Sequence, residues 1–126
     1  MEMAALLGAG LIGVVVLFQV ALVLGAPWGR AAWGGQHPAR LPGRLRLASL
    51  VAAILLVALA WILLAAGRVA SSSPVPASWL QPAAWLGTAY FGLGSVVNLI
   101  SRSRVERIWA PVSLCTAICY GIVAAS

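Results

Sequence analysis

The chain has 126 residues, 63% of them hydrophobic and only 8% charged, with eight arginines, no lysine and two acids. An ordinary soluble domain carries roughly 25% charged residues, so this composition excludes that class. The formal charge of +6 does not point to nucleic acid, because nucleic-acid binders spread basic residues over a hydrated face, whereas these arginines bracket long apolar runs.

The first run, Met3–Leu24, reads as a helix long enough to cross a bilayer core of about 30 Å at ~1.5 Å per residue. It lacks a basic leader and a small-residue cleavage site before a polar chain, so it reads as a retained span and not a signal peptide. Within it "GAGLIG", Gly8 to Gly13, spells a dinucleotide fingerprint, but no strand precedes it and no acid follows at the right distance. Its physical content is small residues four apart. Ala5, Ala9 and Gly13 share a face, which predicts close approach of another helix.

Loop one, Gly25–Arg46, holds Arg30, Arg40, Arg44 and Arg46, with Trp28 and Trp33, like Trp109 further on, expected at the membrane interface. His37, the sole histidine, precedes Pro38 and reads as a solvent-facing or interfacial side chain. The second span is Leu45–Ala66. It is followed by the Ser- and Pro-rich "GRVASSSPVPASWLQP", an exposed connection containing only Arg68. The third span, Trp79–Ile100, repeats the small-residue pattern at Ala84, Thr88 and Gly92, and Asn98 is expected to cap it or bond to a neighbouring helix.

A tight charged turn, loop three after the Ser- and Pro-rich loop two, follows. Arg102 and Glu106 are four apart, which predicts a structural ion pair locking the hairpin if the turn is helical. Arg104 lies between the two and Arg107 follows them. The fourth span, Ile108–Ala125, has Pro111 in its first turn, where a missing N–H costs little. Cys115 and Cys119 share one face of it and read as small packing residues.

Every span must be helical, since a lone strand in lipid leaves its backbone unpaired. The predicted fold is therefore all-α: a single domain, residues 1–126, forming an up-down-up-down integral membrane four-helix bundle. Seven of the eight arginines fall in loops one and three. Short basic loops stay in the cytoplasm, so both termini are expected outside, in a multi-pass protein of the plasma (inner) membrane. Arg30, Arg40, Arg44, Arg46, Arg104 and Arg107 then meet anionic headgroups. Gln19, Ser49, Asn98 and Ser113 each fall within about two turns of the cytoplasmic end of their helix. They are expected to form one polar inner layer, serving either packing or a ligand.

No catalytic residue, metal site or cofactor is predicted. One histidine and two distant cysteines make no zinc constellation, and no hydroxyl or thiol has a base with an orienting acid beside it. Two segments, "GAPWGRAAWGG…LPGRLRLASL" (Gly25 to Leu50) and "NLISRSRVERIWAP" (Asn98 to Pro111), resemble those of small four-span bacterial membrane proteins of no established activity. That resemblance implies architecture and location, and no catalytic residue carries over from it. Small multidrug exporters have similar length, but the chain lacks the acid deep in helix one that marks them.

The expected function is non-catalytic: binding of anionic lipid, or of a membrane-protein partner or second copy, at the basic face, with no nucleic acid involved. The alternatives are an oligomeric transporter or channel for a small solute, and an enzyme acting on a lipophilic substrate at the inner interface through His37, Asn98 and Glu106.

Overall fold

A computed structural model describes residues 1–126. Four α-helices carry the fold: α1 (Glu2–Val23), α2 (Gly43–Ala66), α3 (Leu80–Leu99) and α4 (Trp109–Ala125), with short 3-10 turns in the connections. There is no strand. Helices α1, α2 and the segment Glu106–Ala125 are long and apolar enough to cross a membrane. Helix α3 falls short of that apolarity, a correction to the four equivalent runs read from the sequence. Its 20 residues include Gln81, Pro82, Thr88, Ser95, Asn98 and three glycines, which dilute its leucines and valines.

The helices run alternately up and down. Arg46 at the start of α2 reaches the end of α1 at Val23, and Gln81 at the start of α3 donates to the Ala124 carbonyl at the end of α4. Around the bundle the order is α2, α1, α4, α3. Extensive interfaces join α1 to α2 and α3 to α4, α1 packs on α4, and the ring closes only loosely between α2 and α3.

Packing density differs along the bundle axis. The half nearest the termini holds the main core, including Ala5, Ile12, Leu63, Ala84, Tyr120 and Val123. Close approach there is made by two glycines outside the predicted stripes. A Cβ on Gly8 would lie 2.9 Å from Cys119 Cβ, and one on Gly87 would overlap the Tyr120 ring. Tyr120, fully buried, crosses the bundle and donates its hydroxyl hydrogen to the Leu59 carbonyl of α2.

The predicted small-residue faces are thus shifted. Ala5 and Ala84 are fully buried, Ala9 is half-buried, and Thr88 lies against Gly121, but nothing stands within 4 Å of a Cβ built on Gly13 or Gly92. The contact face of α1 runs Ala5, Gly8, Ile12, and that of α3 runs Ala84, Gly87, Phe91. Outward, every helix presents large apolar side chains, among them Leu17, Leu55, Leu93 and Ile118.

Candidate functional site

At the arginine-rich end the four helices separate and loop one folds over them. Leu22, Ala32 and Leu41 form a second small core that pins the loop to α1. Backbone conformation at the loop tip is unusual: Trp33, Gly34 and Gly35 all have positive φ, at 51°, 78° and 72°. The left-handed region costs a non-glycine residue of order 1–3 kcal/mol, so Trp33 needs a restraint. It has one: its indole N–H donates to Ser49 Oγ at 3.0 Å. The turn aims the Gly34 N–H at Glu106 Oε2, 2.7 Å away. Gly35 has no room for a side chain against Ser103.

Two further bonds fasten loop one to the α3–α4 connection and the start of α4, and a third braces the connection itself. Trp109 Nε1 donates to the Ala31 carbonyl at 2.8 Å, and Ser103 Oγ donates to the Arg30 carbonyl. The Glu106 N–H donates to Ser103 Oγ at 3.4 Å. Trp109 also packs on Phe18, ring centroids 4.7 Å apart.

The predicted Arg102–Glu106 pair is not formed. Arg102 lies in the bend before the last 3-10 turn and is exposed, whereas Glu106 begins that turn and is only 7% exposed. Helical i,i+4 geometry does not extend back across the bend. The carboxylate is held by a loop-one amide instead, with no arginine donating to it.

Beneath loop one lies a cavity of about 520 Å³, bounded by all four helices. Its wall is mostly apolar and aromatic: both phenylalanines, Trp33, Tyr90 and Trp109 line it, with Val15 and Leu56 below. Gln19, Asn98, Ser113 and Glu106 bring polar groups to it. The lining residues Tyr90, Leu93 and Val97 of α3 are exposed, and α3 meets α2 only loosely beside them.

The predicted polar layer is therefore partly dispersed. Gln19, Asn98 and Ser113 share the cavity, while Ser49 is fully buried beside it and occupied by Trp33. None of the four bonds to another. Asn98 does not cap α3 through its side chain. Gln19 Oε1 is buried without a hydrogen-bond partner, a loss of about 1–3 kcal/mol for such an acceptor.

The arginines are divided in role. Arg30, Arg40, Arg44, Arg104 and Arg107 are exposed; Arg30 also borders a second hollow of about 400 Å³ beside Trp28, and Arg107 Nε donates to the Ser101 carbonyl. Arg46 is committed elsewhere: its guanidinium donates twice to the Val23 carbonyl, at 2.9 and 2.7 Å, neutralising the negative end of α1. His37 lies in loop one, away from the cavity wall.

The residues that sequence reasoning missed are Trp33, Gly34 and Trp109. The "WGG" turn signal was present, but the tryptophans read as interface anchors. No family model matches the chain, and neither a curated protein nor a solved structure shows detectable similarity to it.

Proposed function

We propose that this is a four-span membrane protein that binds a single-chain, lipid-like amphiphile in the cavity beneath loop one, without transforming it. The observation that carries the reading is the cavity itself. It is apolar along its length and polar at its roof, and in this reading its mouth is the loose seam between α2 and α3, whose outer faces carry Leu55 and Leu93. Such a mouth faces hydrocarbon, so a ligand enters from the bilayer and not from water. A volume of about 520 Å³ falls in the range of small-ligand sites, ~300–1,000 Å³.

Helix α3 is the fourth span in this reading. Its low apolarity is offset by where its polar and small groups go: Gly87 receives Tyr120, Ser95 Oγ donates to the Ala110 carbonyl at 2.8 Å, and Thr88 Oγ1 donates within its own helix at 3.0 Å. Trp85, Leu86 and Leu93 are left for lipid. Loops one and three lie on the cytoplasmic side by the arginine bias, where the exposed arginines meet anionic headgroups.

Gly94 offers the test. It lines the cavity, and a Cβ there meets only Ser113 Oγ, at 3.8 Å. In lipid nanodiscs, wild-type protein is expected to bind a spin-labelled or radiolabelled C12 amphiphile saturably at one site per chain, and Gly94→Leu is expected to abolish this while melting normally. Saturable binding that survives Gly94→Leu removes the cavity from the account.

A further inference from the structure

The cavity's polar roof is selective in kind, and this bears on which amphiphile it takes. Glu106 carries the only carboxylate near it and is 93% removed from solvent by its 7% exposure. One of its oxygens is held by the Gly34 amide, and no arginine donates to the other. A buried carboxylate without a cationic partner is costly. Gln19 Oε1, an acceptor, is likewise buried and unpartnered at the same cavity. The indole N–H groups of Trp33 and Trp109, the donors best placed to receive an anion, are already spent on Ser49 Oγ and the Ala31 carbonyl. Arg46 is spent on Val23. The roof therefore offers one anionic group with no cation beside it, the open Gln19 oxygen, and the neutral amide and hydroxyl groups of Asn98 and Ser113, while its neighbouring indole and Arg46 donors are already taken.

Resting on the reading of the cavity as an amphiphile site, we infer that its ligand carries a primary ammonium head group, which pairs with Glu106 and donates to Gln19 Oε1. A primary ammonium has three donors and no acceptor, which matches a carboxylate plus an amide oxygen. Aromatic faces in a partly desolvated site add cation–π attraction. A phosphate or carboxylate head could accept from the neutral Asn98 and Ser113 groups, but it brings a second negative charge beside Glu106 with no arginine in the lining to offset it. The exposed arginines do not contradict this, because they serve the outer rim and not the cavity lining.

The test is equilibrium binding of dodecylammonium, dodecanol and dodecyl phosphate to the full chain in zwitterionic nanodiscs, with Gly94→Leu discs as the blank. Dodecylammonium is expected to bind about tenfold or more tightly than either of the others, the range of one charge-assisted hydrogen bond. Glu106→Gln keeps an acceptor for Gly34 and loses the charge, so it is expected to erase that preference without unfolding the protein. Gln19→Leu removes no hydrogen bond to loop one, since Gln19 makes none, and is expected to narrow the preference by a smaller factor. Equal or tighter binding of dodecyl phosphate or dodecanol overturns the head-group assignment, as does a preference unchanged in Glu106→Gln. If all three ligands bind alike and Gly94→Leu abolishes them alike, the cavity reading stands and this inference falls. If none binds, both fall.

Discussion

Single residues decide where helices touch in this bundle. Gly8 and Gly87 lie where Cys119 and Tyr120 press against bare backbone, and a methyl group there forces a packed core to shift. Gly87→Ala is expected to destabilise the purified protein by about 1–3 kcal/mol, the usual range for overpacking, while Gly92→Ala is expected to change the melting temperature little, since open space surrounds it. Thermal unfolding in detergent compares the two directly. Equal losses at both positions contradict the packing register described above. The sequence displayed small residues on α1 and α3 but not which of them face inward. A helix that is apolar on every side has no periodic signal to mark its buried stripe, so the four-residue spacing of Ala5, Ala9 and Gly13 was a plausible face and Gly8 was the occupied one.

At the scale of elements, the connection between α1 and α2 behaves as a fitted roof. Its hold on the hairpin opposite consists of a few hydrogen bonds, among them the one from Gly34 to the buried Glu106 carboxylate. Glu106→Ala is expected to speed tryptic cleavage at Arg30 and Arg40 several-fold relative to wild type while the helices stay intact by circular dichroism. Glu106→Gln is expected to be cleaved at the wild-type pace, because its amide oxygen still accepts from Gly34. Should Glu106→Gln be cleaved as fast as Glu106→Ala, charge and not hydrogen bonding holds the loop.

Here the sequence was legible in outline only. Helix limits lie within two residues of the runs read from composition, since length and apolarity are local properties. The partner of Glu106 was not legible. It depends on a left-handed turn at Trp33, Gly34 and Gly35 that lies 72 residues away in the chain, and nothing within the charged turn itself specifies that contact. The cavity was half visible: Gln19, Asn98 and Ser113 were identifiable by depth, whereas the aromatic walls belong to residues that read as interface anchors or generic core.

For the whole molecule, the arginine asymmetry makes a claim about sidedness. With Cys115 and Cys119 replaced by alanine, Ser71→Cys in loop two is expected to react with a membrane-impermeant maleimide on intact cells. Gln36→Cys in loop one is expected to react only after the membrane is opened. Both positions are exposed, so silence reflects location and not burial. The reverse pattern inverts the bundle and moves the cavity to the other leaflet.

The stack of Phe91 on Tyr120, centroids 5.6 Å apart, has a consequence for traffic. Phe91 floors the cavity on one side and belongs to the main core on the other, and Tyr120 is anchored beneath it to α2. The stacked rings thus stand between the chamber and the main core. Under the proposed reading, a guest reaches the half of the bundle nearest the termini only if Phe91 and Tyr120 part.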